Sequence, residues 1–233
     1  MKTSRLLFLS LAALTLLRPA PVRATDHTDY AFGADLSFTM RDEDNGVQFK
    51  DGGVVKPALQ IFKDHGFNYV RLRVCVEPVT GSLPNTPAYD IAFAKQAKAL
   101  GFKLLLDFHY SNSWSDPRNE PTPQAWQALT ADQLVEQVFT YTRDVIAQFR
   151  DAGVLPDMVQ IGNEISNGTL MPLGKLPENW DTLAAIVYAG INGVDAGRGN
   201  NRRPKIMIHV DHGGDPFLTR RFFETLDSYG VPY

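Results

Sequence analysis

Short apolar runs alternate with longer amphipathic stretches along almost the whole chain, and this alternation limits the possible folds more than any other feature. The apolar runs cover residues 30–36, 69–76, 103–109, 158–161 and 205–210. The amphipathic stretches cover residues 54–65, 91–100, 131–150, 180–194 and 217–229. The short runs predict strands, and the helical spacing of apolar residues between them predicts helices. Strands that alternate with helices favour an α/β fold with a parallel sheet and right-handed crossovers.

The lengths of the connections favour a barrel over an open sheet. The segments that follow the first four predicted strands are long, at residues 42–53, 77–89, 110–130 and 166–179. Long loops on one face are typical of a (β/α)8 TIM barrel, whose site lies at the carboxyl ends of the strands. An open doubly wound sheet is the alternative, but no Gly-rich phosphate loop follows any predicted strand.

A full barrel needs eight strand-helix units and about 250 residues. The sequence supplies five complete units, and residues 231–233 predict the start of a sixth strand. We therefore expect the chain to contain the N-terminal two-thirds of a single barrel domain.

The first 24 residues have the pattern of a secretory signal peptide. Lys2 and Arg5 precede an apolar run at residues 6–17, and Val22 and Ala24 place small residues before a cleavage site. The apolar run is shorter than the roughly 20 residues of a membrane-spanning helix. We predict that the signal peptide is cleaved near Ala24. The mature protein, residues 25–233, would then be exported to the periplasm or out of the cell. A buried N-terminal helix is the alternative.

Charge and cysteine content exclude several kinds of partner. The chain has 23 basic and 26 acidic residues, and cleavage after Ala24 removes four basic residues, which leaves 19 − 26 = −7. An acidic body without basic clusters does not neutralise phosphates, so we expect no nucleic-acid partner. The single Cys75 excludes an internal disulfide. With no further apolar segment long enough to cross a membrane, we expect a soluble monomer.

The third predicted strand ends in a group of polar and aromatic residues. Asp107 and His109 lie on the same side of the strand, and Trp114 follows in the long loop. One interpretation is a polar wall for a substrate rich in hydroxyl groups, with Trp114 as a stacking surface. The other is a buried polar pair, with Trp114 packed under its own loop. The spacing alone favours neither.

The fourth predicted strand ends in Asn163 and Glu164. Partial burial of a carboxyl group at a strand end favours its protonated form, which a general acid requires. Asn163 would donate to a sugar hydroxyl. The alternative is a strand-end Glu in a surface ion pair, but the strand, loop and barrel patterns together favour the catalytic interpretation.

Arg71 and Arg73 share one face of the second predicted strand. Buried arginines need carboxylate partners. Glu77 is one candidate, and an acid on a strand beyond Tyr233 is another.

Metal and nucleophile motifs are absent from the sequence. The histidines at 109, 209 and 212 form no HxH pair after the first strand and no HExxH on a helix. No GxSxG elbow is present, and Cys75 in mid-strand is most simply a small core residue. We expect no metal and no cofactor.

Five motifs occur in one order at successive predicted strands. They are GADLS at 33–37, VRLRV at 70–74, DFHYS with WSDP at 107–117, IGNEI at 161–165 and KIMIH at 205–209. Together they resemble the family 53 glycoside hydrolases, the endo-β-1,4-galactanases, over residues 30–233. The resemblance implies a (β/α)8 barrel and retaining hydrolysis of β-1,4-galactan, as found in the (arabino)galactan side chains of pectin.

The resemblance also implies roles for individual residues. Glu164 would be the acid/base, and Asn163 its substrate-binding neighbour. Further substrate-binding positions would be Trp114, Asp116, His109, His209 and Arg71, of which Arg71 would orient the nucleophilic carboxylate. The nucleophile would be a Glu at the end of the seventh strand, which residues 1–233 do not include, so we expect an inactive fragment. The only metal that the resemblance allows is a structural calcium ion beyond Tyr233.

Two other functions remain open. Another clan A barrel would cut mannan or β-glucan, although the WSDP loop argues against it. A non-catalytic remnant would bind galactan without releasing reducing ends.

Overall fold

The computed structural model describes residues 30–79 and 83–233, so the predicted signal peptide lies outside the described residues. The main element is a sheet of five parallel strands. These strands are Gly33–Asp35 (β1), Tyr69–Val74 (β4), Lys103–Phe108 (β5), Met158–Ile161 (β6) and Lys205–Met207 (β9). All five predicted strands are confirmed. Their order in the sheet follows the chain, as in the first part of a barrel.

Side-chain alternation separates the two faces of this sheet. The face toward the helices carries apolar, fully buried residues that belong to the hydrophobic core, among them Val70, Leu72, Val74, Leu104, Leu106 and Val159. The opposite face carries polar residues from neighbouring strands. The register places Asp35 beside Arg71, Arg73 beside Asp107, and Asp107 beside Gln160.

Six α-helices accompany the strands within residues 30–79 and 83–233. They are Thr39–Asp44 (α1), Ala58–Asp64 (α2), Pro87–Ala99 (α3), Ala131–Asp151 (α4), Trp180–Gly197 (α5) and Pro216–Ser228 (α6). Helix α4 begins at a capping box, in which Thr130 and Gln133 bond each other's backbone N–H groups. Helix α6 begins at Asp215, whose carboxylate accepts from the backbone N–H groups of Phe217 and Leu218.

Two helices begin four residues away from their predicted first residue, for local reasons. Residues 54–55 are not helical, because Lys50–Asp51 (β2) and Val54–Val55 (β3) pair as a hairpin whose turn uses Gly52 and Gly53 at positive φ. Helix α3 begins four residues earlier than predicted, because Thr86 caps it and Pro87 occupies its first turn. A second hairpin, Gly168–Thr169 (β7) with Gly174–Lys175 (β8), lies in the loop after β6.

Residues 231–233 do not form the predicted sixth strand. They follow α6 as irregular chain, and in the described part of the structure they make no ladder with β9. Ala31–Tyr233 nevertheless form one compact unit. Among the residues that the structure describes, no helix is both long and apolar enough to span a membrane.

Helices α4 and α5 approach each other closely at Gly193. A Cβ atom there would lie 2.7 Å from Thr142 Cβ and 2.8 Å from the Phe139 carbonyl oxygen. Only glycine therefore allows this packing distance.

Candidate active site

The polar face of the sheet is organised around two arginines on β4. Arg73 Nε and Nη2 each donate to one oxygen of Asp35 at 3.0 Å. Arg71 Nη1 also bonds Asp35, and its Nη2 donates to Asp107 Oδ2 at 2.6 Å. Burial alone would raise the pKa of Asp35, but the hydrogen bonds and charges of the arginines outweigh it and lower that pKa to about 2. The carboxylate partners are thus Asp35 and Asp107, and the expectation that Glu77 pairs with one arginine was wrong.

Asn163 connects Arg71 on β4, Gln160 on β6, His209 after β9 and the backbone of Ser115 in the loop after β5. It is 5% exposed. Its Oδ1 accepts from Arg71 Nη2 at 2.8 Å and from Gln160 Nε2 at 3.3 Å, and it lies 3.1 Å from His209 Nδ1. Its Nδ2 donates to the Ser115 carbonyl oxygen at 2.9 Å. Since Arg71 can only donate, the orientation of the amide is fixed, and one N–H of Nδ2 remains for a further acceptor.

The tautomer of His209 follows from this orientation. Nδ1 faces an acceptor, so it carries the proton, and Nε2 keeps a lone pair. Partial burial, and then the charge of Arg71, lower the pKa of His209. The ring is therefore neutral near pH 7 and able to accept a hydroxyl proton.

Asp107 and His109 form a buried pair, which was one of the two interpretations of their spacing. Asp107 is 0% and His109 1% exposed. His109 Nδ1 accepts the backbone N–H of Ser115 at 3.2 Å, so the ring proton is on Nε2. That Nε2 lies 2.9 Å from Asp107 Oδ2 without the alignment of a regular hydrogen bond. His109 thus fixes Ser115, whose carbonyl group fixes Asn163 in turn.

Trp114 does not pack under its own loop. It is 46% exposed, and the Arg73 guanidinium carbon lies 4.1 Å from its ring centroid. The His109 ring meets it edge-on, with 6.0 Å between ring centroids. Trp114 therefore presents an open aromatic surface beside the polar face.

Asp116 stands apart from the network around Asn163. Its Oδ1 accepts the backbone N–H of Arg118 at 2.8 Å, and its backbone pairs with that of Asn119. This arrangement is an Asx turn that shapes the loop. The side chain is half-buried.

Glu164 follows β6 in the left-handed conformation, with φ 52° and ψ 45°. A non-glycine residue in this region stores backbone strain, which is common at functional sites. The turn is secured because Ile165 N–H donates to the His209 carbonyl oxygen at 3.0 Å. The half-buried carboxylate makes no hydrogen bond or ion pair to any residue of 30–79 or 83–233, so it is available to a ligand.

Comparison with known proteins identifies the family of the chain. The profile of glycosyl hydrolase family 53 matches residues 31–233. The chain belongs to glycosyl hydrolase family 53.

Relatives from this family resemble the chain in sequence and in structure. A probable arabinogalactan endo-β-1,4-galactanase A from Neosartorya fischeri is 39% identical over 200 residues, which are 85% of this chain and 55% of the relative. A solved structure of fungal β-1,4-galactanases has a TM-score of 0.80 at 38% identity, covering 85% of this chain and 59% of that one. The family 53 catalytic domain of Ignisphaera aggregans has a TM-score of 0.81 at 35% identity, covering 88% and 57%. The chain thus spans little more than half the length of these relatives. Its five parallel strands and their helices match part of the (β/α)8 barrel of family 53.

Glu120 is a buried acidic residue in the loop after β5 that the sequence did not indicate. It is 2% exposed, its Oε2 accepts from Thr169 Oγ1 at 2.9 Å, and its Oε1 has no partner among the described residues. Burial raises the pKa of Glu120 to about 9, and the charges of Asp107, Asp116 and Glu164 add to this effect although the Thr169 bond opposes it. Glu120 is therefore a neutral acid at pH 7.

Asp35 and Gln160 were also missed as site residues. Asp35 lies within the GADLS motif, and strand alternation together with a parallel register would have placed it beside Arg71. Gln160 Nε2 donates to Asp107 Oδ1 at 2.7 Å and to the Gly162 carbonyl oxygen at 2.8 Å. Within residues 30–79 and 83–233, no three His, Cys, Asp or Glu side chains are grouped closely enough to hold a metal ion.

Proposed function

We propose that the protein is an exported endo-acting glycoside hydrolase that cleaves β-1,4-galactosidic bonds in the (arabino)galactan side chains of pectin. One observation carries the proposal. Glu164 has a carboxyl group without a partner among residues 30–79 and 83–233, and it follows β6 directly after Asn163, whose fixed amide contacts Arg71 and His209. Membership of family 53 and the galactanase names of the relatives support the substrate class.

In the proposed retaining mechanism, Glu164 acts first as acid and then as base. It protonates the glycosidic oxygen while a second Glu, about 5–5.5 Å away, attacks the anomeric carbon. Water, deprotonated by Glu164, then releases the sugar from the enzyme. The second Glu belongs to the end of the seventh strand, and the five parallel strands described here are the first five. Arg71 orients that nucleophile.

The substrate contacts in this proposal follow from free hydrogen-bonding capacity. The remaining N–H of Asn163 donates to a sugar hydroxyl, and His209 Nε2 accepts one. Trp114 stacks on a galactose ring, and Asp116 lines the same subsites. His109 is buried, so it acts by holding Ser115 and Trp114 in place. No metal or cofactor takes part.

The test uses the complete natural gene product and its Glu164→Gln variant. We expect Glu164→Gln to lose hydrolysis of β-1,4-galactan and to keep its affinity for galactan. It should still release a burst of leaving group, about one per enzyme molecule, from an aryl β-galactoside whose leaving group needs no proton, because only the second step then lacks its base. Glu178→Gln is the matched control, since Glu178 is exposed in the loop before α5. Equal rates of the parent and Glu164→Gln on galactan would refute the assignment.

Two further measurements address the remaining parts of the proposal. Proton NMR during hydrolysis should show the β-anomer first, whereas initial α-anomer would exclude retention. The exported protein should begin at Thr25, and a mature protein that still carries residues 1–24 would refute cleavage. Galactan binding by the parent without any release of reducing ends would favour the non-catalytic alternative.

A further inference from the structure

Arg73 is held rigidly at the edge of the site. Both of its bonds to Asp35 are 3.0 Å long, its side chain is 10% exposed, and its backbone N–H donates to Ser37 Oγ at 3.0 Å. A guanidinium that shares two hydrogen bonds with one carboxylate has a fixed plane. Arg73 is therefore a fixed surface on which other groups can rest.

Two aromatic rings lie on this guanidinium. The Arg73 guanidinium carbon is 4.1 Å from the ring centroid of Trp114 and 4.9 Å from that of Phe38. Both distances are within the range of cation–π attraction, which is strongest for Trp and for desolvated cations. We call Phe38, Arg73 and Trp114 the Trp114 stack. The guanidinium of Arg41, on α1, lies 4.6 Å from the Phe38 centroid and holds that ring as well.

The backbone of Trp114 is also held. Its carbonyl oxygen accepts from Asn119 Nδ2 at 2.8 Å, and the next N–H, of Ser115, donates to His109 Nδ1. Yet the residue is 46% exposed. Exposed side chains ordinarily exchange rotamers within nanoseconds. Here one part of the indole rests on Arg73 and the rest faces solvent.

We propose that Phe38 and Arg73 are positioning residues that hold Trp114 as a preorganised stacking surface for a pyranose ring of the substrate. This inference rests on the proposed function, because it deepens the role of Trp114 in binding galactan. A ring that is already fixed loses little conformational freedom when a sugar stacks on it, so preorganisation raises affinity. Neither residue touches substrate, and each acts only through Trp114.

The test is a double-mutant cycle in the complete natural gene product, with Phe38→Leu and Trp114→Ala. Phe38→Leu keeps an apolar side chain but removes one ring of the stack. We expect it to raise KM for galactan about three- to fivefold, with kcat unchanged, which is the size of one exposed cation–π contact. In the Trp114→Ala background, Phe38→Leu should have no further effect.

Two further variants serve as controls for the double-mutant cycle. Phe38→Tyr keeps the ring and should restore the parent KM. Phe217→Leu removes a 70% exposed ring at the start of α6 and should leave KM unchanged. If Phe38→Leu raises KM equally with and without Trp114, or lowers kcat instead, the inference is overturned.

A measurement without galactan separates this inference from the proposed function. Time-resolved tryptophan anisotropy of Phe38→Leu should gain a fast component from Trp114 that the parent and Phe38→Tyr lack. Absence of that component would overturn the positioning role, whatever the protein does to galactan. A fast component together with no binding of galactan would support the positioning role and refute the proposed function.

Discussion

Replacing Glu120 by Gln should make the protein less stable than the parent near pH 5 and more stable than the parent near pH 8. Glu120 is 2% exposed, and its only side-chain partner among the described residues is Thr169. Gln keeps an acceptor for the Thr169 hydroxyl but carries no charge at any pH. The variant therefore removes one buried group that titrates and keeps the contact with Thr169.

The pKa of Glu120 sets the size of the effect. That pKa is raised from 4.5 to about 9, so between these values the native state keeps a proton that the unfolded chain has lost. Below pH 4.5 both states are protonated and the group costs nothing. As the pH rises toward 9, the free energy of unfolding falls by about 1.4 kcal/mol per pH unit. Between pH 5 and pH 8 the parent thus loses about 4 kcal/mol through this group.

The Gln variant avoids this loss and bears a smaller constant cost. Its buried amide N–H groups find no acceptor where Glu120 Oε1 stands, which costs about 1–3 kcal/mol. We therefore expect Glu120→Gln to be less stable than the parent near pH 5 and more stable near pH 8.

Urea unfolding followed by far-UV circular dichroism measures this difference at both pH values. Glu178→Gln, at an exposed position, should give the same pH dependence as the parent. Parallel stability profiles for the parent and Glu120→Gln would refute the account of Glu120 as a buried neutral acid.

Three further outcomes are expected. Asn163→Ala should lower kcat on galactan about 100-fold. The variant loses the bonds to Arg71 and to the Ser115 carbonyl, so the groups around position 163 are free to shift by about 1 Å. A kcat within twofold of the parent would contradict this. Cys75 is 2% exposed, and burial raises the pKa of its thiol to about 12. A disulfide reagent should therefore modify Cys75 at pH 8 only after denaturation. Rapid labelling of the native protein would contradict its burial. Gly193→Ala should lower the free energy of unfolding, measured by urea titration, by about 1–3 kcal/mol, because the new methyl group meets Thr142. This loss outweighs the roughly 1 kcal/mol that Ala gains in helix propensity. An increase in stability would show that the two helices separate without cost.

The three central strands were predictable because each buries an apolar face. Residues 103–109 and 158–161 read as short apolar runs, and β5 and β6 lie within those bounds. The polar residues at their ends were predictable for the same reason, since parallel strands bring their carboxyl ends to one edge. Asn163 and His209 meet at that edge, and Arg71 reaches Asn163 from within β4.

The partners of the arginines depended on register, which the apolar pattern does not contain. Asp35 bonds both arginines because the register of β1 on β4 places it opposite Arg71. The residue spacing within each strand does not predict that register. Glu77 is closer in sequence and was the wrong choice. Sequence separation is a poor guide when two strands are joined through a helix.

Loop interiors were the least predictable part of the site. Glu120 lies in a long polar segment where an exposed carboxylate is the ordinary expectation. It is buried because the β7–β8 hairpin lies against that segment, where the Met171 N–H donates to the Glu120 carbonyl oxygen at 2.8 Å. The short α1 and both hairpins likewise depend on local turn geometry rather than on apolar periodicity.

The most direct test of the central claim is the release of reducing ends from a panel of polysaccharides by the complete natural gene product. The panel contains linear β-1,4-galactan, β-1,4-mannan and mixed-linkage β-glucan at equal concentration. We predict cleavage of galactan, with neither of the other two hydrolysed at a comparable rate. Cleavage of mannan or β-glucan with galactan untouched would contradict the account and assign the site to another glycan.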